Sequence, residues 1–196
     1  MNIFNFLIKK VTFAAYKTRV IDYLCDVIKK SMSKGVYVAT IEPNSGKSVV
    51  VLGLMRMLLG KTAKVGYFRP IIDDNEEGEM DNHINTVVSH FELDINYKKT
   101  YAFTRNEVLD KYNQGKSGEV IDEIIRKYKN LEEIFDFILV EGTDFSHENS
   151  ILELDINILI SKNLGLPVII VSHGEGKDHK EIVDSIQLAH DTFKEE

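Results

Sequence analysis

Cysteine is almost absent from this sequence: Cys25 is the single one among 196 residues. That excludes a disulfide framework and a cysteine-based zinc cluster, and it fits a reducing, cytosolic compartment. Proline is scarce, at three, and glycine stands at 12, which excludes a collagenous or low-complexity chain. No apolar run reaches the roughly 18 residues needed to span a bilayer. A signal peptide is not read either, because Lys9 and Lys10 interrupt the first apolar run and no small-residue cleavage site follows. Positive charge is not in excess: the formal net charge is −7, which argues against a nucleic-acid partner. What remains is 43% hydrophobic and 28% charged, enough for one domain with a substantial core.

The charge is uneven. Residues 1–31 carry a net +4, and the remainder −11. The first stretch also holds Phe4, Phe6, Leu7, Ile8, Phe13, Tyr16 and Tyr23. A basic amphipathic segment of this kind packs as a helix on its own domain, or lies on an anionic membrane surface. In a third reading Met32 is the natural start, and Met32-Ser33-Lys34-Gly35 leads straight into a strand. The chain therefore divides into a basic segment, 1–31, and a domain, 35–196.

Within the domain, 35–40 (GVYVAT) reads as a buried strand, 41–46 as a loop and 47–59 (KSVVVLGLMRMLL) as a buried helix with Gly60 past its end. Residues 64–69 read as a second strand stopped by Pro70. Residues 73–81 (DDNEEGEMD) form an acidic loop, read as a solvated turn rather than a metal site. Asp81 suits the N-cap of a helix over 82–91. Residues 106–133 give two helices broken at Gly115 and Gly118, with Val120, Ile121, Ile124, Ile125, Tyr128 and Leu131 at helical spacing. Strands are expected over 137–140 and 167–171, and a closing helix over 181–194. Residues 156–161 are ambiguous between strand and helix. Apolar strands alternating with helices predict an α/β domain, a doubly wound and mostly parallel sheet covered on both faces.

The chemical signal is Asn44-Ser45-Gly46-Lys47-Ser48, set between a strand and an apolar helix. Gly46 lets backbone N–H groups approach a phosphate, Lys47 reaches the β- and γ-phosphates, and Ser48 offers a hydroxyl to magnesium at a helix N-terminus. A bare Gly-Lys-Ser is common, and the strand–loop–helix setting is what makes it specific. The glycine that usually opens such a loop is missing, with Ile41 and Thr40 in its place, and Pro43 stiffens the turn. Glu141 ends the third strand beside Gly142, where an acid holds magnesium or its water. Arg69 ends the second strand at the same edge, where ligands bind in open α/β sheets. His173 lies in a loop at that edge too, placed near a nucleotide base or exposed as an ordinary loop histidine. Thr143, Asp144 and Ser146 are candidates to line the site. His83, His90, His147, His179 and His190 read as surface residues, and Tyr97 and Tyr101 as packing residues.

The succession Glu42-Pro43-Asn44-Ser45-Gly46-Lys47-Ser48, Gly66-Tyr67-Phe68-Arg69-Pro70, Val140-Glu141-Gly142 and Gly165-Leu166-Pro167-Val168-Ile169-Ile170-Val171 resembles the dethiobiotin-synthetase-like P-loop family. More closely, residues 35–194 resemble the N-terminal domain of long-form bacterial phosphate acetyltransferase. The phrases 37–43, 68–72 and 140–145 carry that closer match. The resemblance implies a P-loop NTPase fold with ATP and Mg2+ as cofactors. Glu42, Asn44, Ser45, Gly46, Lys47, Ser48, Arg69 and His173 would line the nucleotide, and Ser48, Glu141 and Asp81 would hold the metal. In the synthetases a lysine stands where Arg69 is here, and Thr40 replaces their opening glycine. Arginine for lysine at position 69 is not a conservative exchange for a catalytic role. In the long acetyltransferases the domain resembles a synthetase reused for regulation, with acetyl transfer in a separate C-terminal domain that this chain is expected to lack. The readings are a regulatory ATP-binding domain, an ATP-dependent ligase, or an interaction module that no longer binds nucleotide. The expected partners are the nucleotide and a second copy of the chain or an acetyltransferase domain.

Overall fold

The computed structural model describes residues 34–40, 42–43, 45–62, 64–74, 79–143, 150–174 and 176–195. The basic segment 1–31, Met32, Asn44, Asp144, Ser146 and His147 lie outside the described residues.

Among the described residues, four strands form the central sheet: β1 (Gly35–Thr40), β2 (Val65–Phe68), β5 (Phe137–Glu141) and β6 (Val168–Val171). Their order is β2-β5-β1-β6 and every pairing is parallel. All six residues of β1 are buried, as a central parallel strand requires. A separate two-stranded parallel pair joins β3 (Ile71–Ile72) to β4 (Phe103–Thr104). It follows the stop at Pro70, whose carbonyl accepts from Ala102 N at 2.9 Å and Phe103 N at 3.2 Å.

The helices are α1 (Lys47–Leu59), α2 (Asn82–His90), α3 (Arg105–Asn113), α4 (Ser117–Glu132), α5 (Ser150–Leu164) and α6 (His179–Glu195). Strand alternation divides the core between the two sheet faces. Val36, Val38, Val65, Tyr67, Phe137 and Leu139 pack with Val51, Leu54, Met55 and Leu58 of α1 and Ile84 and Val87 of α2. Tyr37, Ala39, Phe68, Ile138 and Val140 pack with α4, α5 and Phe193 of α6. Helices on both faces of a parallel sheet make the fold doubly wound, as the alternation of elements predicts.

Local chemistry fixes the helix ends. Asp81 caps α2, its Oδ1 accepting from Ile84 N at 2.9 Å. Thr104 and Glu107 form a reciprocal capping box on α3. Gly115, at φ +72°, breaks the chain between α3 and α4. Gly118 does not break it, since α4 begins at Ser117. Residues 156–161 belong to α5. Ile156, Asn157, Ile158, Ile160 and Ser161 are buried while the apolar Leu159 is exposed, so polar residues face inward, an apolar one faces outward, and the helix shows no amphipathic period.

Candidate functional site

The alternation that builds the core also selects the site. Glu141 is in phase with Phe137 and Leu139, and Thr40 with Val36 and Val38. Both therefore turn toward α1 at the carboxyl end of the sheet. Arg69 follows β2 at the same edge, held by its backbone N–H to Thr100 O at 2.7 Å. Gly46 precedes α1 in the left-handed region at φ +82°, a conformation that favours glycine. The first N–H groups of a helix lack partners within it, and they and the dipole favour an anion there.

Glu141 is the centre of the cluster, 1% exposed. Its Oε1 lies 3.2 Å from Lys47 Nζ, 3.3 Å from Arg69 Nη1 and 3.0 Å from His83 Nδ1. Its Oε2 accepts from the Tyr67 hydroxyl at 2.5 Å. Burial opposes ionisation of this carboxyl. The Lys47 ammonium, the His83 hydrogen bond and the Arg69 guanidinium outweigh it and hold the group well below the usual carboxylate range. Burial, and then the Glu141 charge, push the Tyr67 phenol upward, so it stays a donor. Lys47 also donates to the carbonyl of Gly142.

Asp81 and Asp73 extend the network through Arg69, which is fully buried. Arg69 Nε lies 3.5 Å from Asp81 Oδ2, and Nη2 lies 3.5 Å from Asp73 Oδ2. Asp81 N donates to the Tyr97 hydroxyl oxygen at 2.8 Å, so Tyr97 does more than pack. The described part of the acidic loop is largely exposed, and its first two acids are also tied to α3. Asp73 accepts from Arg105 at 2.7 Å, and Asp74 Oδ2 from Asn106 N at 3.1 Å.

The segment after β5 is held from beneath. Asn157 Oδ1 accepts from the Tyr37 hydroxyl at 2.6 Å and from Thr143 N at 3.0 Å. Gly142 leaves room for that contact: a Cβ there would stand 2.5 Å from Asn157 Oδ1 and 2.8 Å from Tyr37 Cε1. Thr143, a sequence candidate, is buried here.

Glu42 and His173 form a second cluster with the loop after β6. Glu42 Oε1 accepts from Ser172 Oγ at 2.7 Å and from His173 N at 2.5 Å, and its Oε2 pairs with Lys177. Burial works against its ionisation, and the bonds from Lys177, Ser172 and His173 lower its pKa nonetheless. Glu42 thus ties the phosphate loop to the 172–177 loop through its side chain. Ser45 lies half-buried in the loop.

His83 was not legible as a site residue. Its sequence reading as a surface side chain is corrected: it is half-buried and its Nδ1 also lies 3.3 Å from Ser48 Oγ. The one available signal was its position two residues after the N-cap Asp81. A cleft of about 210 Å3 opens beside it, lined by Ser48, Val51 and Leu52 of α1, Asn82, His83, Thr86 and Val87 of α2, and Glu141. Ligand pockets run to roughly 300–1,000 Å3, so the cleft accommodates part of a ligand.

Magnesium takes hydroxyl, carboxylate and phosphate oxygens, and the Ser48 hydroxyl and Glu141 carboxylate at one cleft fit that donor set. Asp81 carries its two oxygens to the α2 cap and to Arg69. Among the described residues no three His, Cys, Asp or Glu side chains group as a metal cluster. No helix among them is long and apolar enough to cross a membrane.

A family described as AAA domain (AAA_26) matches residues 34–196. The chain is 42% identical over 164 residues to a phosphate acetyltransferase of Nitratidesulfovibrio vulgaris, covering 84% of this chain and 23% of that protein. It is 35% identical over 165 residues to a phosphate acetyltransferase of Synechocystis sp., covering 84% and 24%. A probable cobyric acid synthase of Methanococcus maripaludis is 23% identical over 188 residues, covering 83% of this chain and 38% of that protein. The chain spans about a quarter of the length of the two acetyltransferases it matches.

Proposed function

The chain belongs to this AAA-domain family, and from that premise we propose that it binds ATP with magnesium and serves as a regulatory domain of a phosphate-acetyltransferase-type protein. The observation that carries the reading is Lys47. It stands one residue after the left-handed Gly46, at the N-terminus of α1, with its ammonium 3.2 Å from Glu141. Gly46 and the first turn of α1 would receive the phosphates, and Lys47 would exchange Glu141 for phosphate oxygens. Ser48 and Glu141 would hold magnesium, which supplies neutralising charge at the phosphates. Asn44 and Ser45 would line the loop. Glu42, through the 172–177 loop, would place His173 beside the base.

Arg69 favours regulation over ligation. It is fully buried and faces Glu141, Asp81 and Asp73, so it holds the site together rather than reaching a second substrate. The acetyl transfer named in the relatives is proposed for the assembly this domain joins, either as a second copy or beside an acetyltransferase domain, in the cytosol.

Calorimetric titration with ATP and magnesium, beside Lys47→Ala, tests the reading. The wild type is expected to bind, and the variant to lose about 1.5–3 kcal/mol, the scale of a charged hydrogen bond. A folded wild type that binds no nucleotide overturns the proposal and leaves the interaction module standing.

A further inference from the structure

Ser48, His83 and Glu141 come from α1, α2 and β5, and they meet at one atom. His83 Nδ1 lies 3.3 Å from Ser48 Oγ and 3.0 Å from Glu141 Oε1. Two ligands held about 2.1 Å from one ion, at right angles, are about 3.0 Å apart. Those separations are ordinary for a hydrogen-bonded imidazole, and they are also close to the separation of two adjacent ligands on one ion.

Resting on the nucleotide-binding reading, we propose that His83 is a nitrogen ligand of the divalent cation at this site. With the Ser48 hydroxyl and the Glu141 carboxylate it makes a site that takes a first-row transition ion, such as Mn2+, in preference to magnesium. Magnesium is served by oxygen donors alone, whereas imidazole draws the transition ions.

The placement of the ring supports this. His83 lies in the first turn of α2, whose N-cap Asp81 is fixed by Ile84 N, Arg69 and Tyr97. The imidazole is thus carried on an anchored helix end and lines the cleft beside Ser48 and Glu141. Second-layer bonds of this kind orient metal ligands. The same geometry sets a condition. Lys47 Nζ is 3.2 Å from the Glu141 oxygen that His83 approaches. Arg69 Nη1 is 3.3 Å from that oxygen as well, its charge shared with Asp81 and Asp73, so the repulsion that a dication meets there falls when phosphate draws the lysine away. The ion is expected to bind with nucleotide and not alone.

The test uses Mn2+ and the β,γ-imido analogue of ATP with the full chain. Binding of the analogue is first measured calorimetrically, with and without metal. Electron spin-echo spectroscopy of the bound Mn2+ is expected to show directly bonded imidazole nitrogen, identified because the signal changes when histidine alone is labelled with 15N. Competition is expected to favour Mn2+ over Mg2+ in the wild type. His83→Gln should weaken Mn2+ about tenfold or more, the scale of losing a metal-site partner, with Mg2+ changed far less. Bound Mn2+ without a histidine nitrogen signal overturns the assignment and leaves nucleotide binding intact. So does a variant that weakens both metals equally, or one that binds magnesium more tightly because the ring had blocked it. An analogue that fails to bind under any condition overturns the underlying reading itself.

Discussion

Tyr67 Oη and Glu141 Oε2 lie 2.5 Å apart, both buried, on adjacent strands β2 and β5. The neutral phenol satisfies one carboxylate oxygen, while Lys47, Arg69 and His83 crowd the other. One strand end thus serves as the hub for charge on three elements.

Removing that hub charge should be costly. Glu141→Gln keeps the shape but leaves Lys47 and Arg69 beside a neutral amide in a buried site. Breaking a buried pair from one side typically costs about 3–5 kcal/mol. Urea unfolding at pH 7 is expected to show a loss of that order. A change below about 0.5 kcal/mol, the ordinary surface scale, would show that the cations relax to other partners.

The same group makes stability pH-dependent. Its folded pKa is held below the ordinary value of 4.5, so the unfolded chain takes up the proton first. The contribution is complete above about pH 4.5 and is lost as pH falls through and below that value. Urea midpoints measured from pH 6 down to pH 3 should therefore fall more steeply for the wild type than for Glu141→Gln. Parallel slopes would contradict the assignment.

Two glycines give opposite expectations. Gly142→Ala forces a Cβ to 2.5 Å from Asn157 Oδ1, and should cost about 1–3 kcal/mol as overpacking does. It should also weaken nucleotide binding, because the displaced carbonyl is the one that accepts from Lys47. Gly53→Ala lies inside α1, exposed, with nothing within 4 Å of the new Cβ. It should stabilise by about 0.8–1 kcal/mol through helix propensity. Thermal melts of the two variants beside the wild type check the pair.

Asn157→Leu should damage the floor of the site. It strands the Tyr37 hydroxyl and Thr143 N–H, both buried, at about 1–3 kcal/mol for each unsatisfied group. Adding Tyr37→Phe should recover part of the loss, since the phenol no longer needs a partner. Chemical denaturation of the single and double variants measures the recovery. No recovery would mean that Thr143 N–H or the new volume carries the whole effect.

By itself the sequence determined the alternation of strand and helix, the apolar runs of the sheet strands, the Gly46-Lys47-Ser48 turn and the carboxylate after Val140. Each of these is local: a run of apolar residues, a glycine before a helix, an acid at a strand end. Only the tertiary structure decided what meets at Glu141. Strand β5 pairs between β1 and β2, and that non-local pairing brings Tyr67 and Arg69 to one side of the carboxylate and Lys47 to the other. His83 became a site residue only because α2 packs on the same sheet face as α1, a contact its neighbours in sequence do not signal. Residues 156–161 were ambiguous for a related reason, since Asn157 and Ser161 turn inward and Leu159 outward, which removes the amphipathic period. The β3–β4 pair joins short segments about 30 residues apart, too brief for a pattern. Sequence periodicity records which side of an element is buried, and the fold alone records what lies across from it.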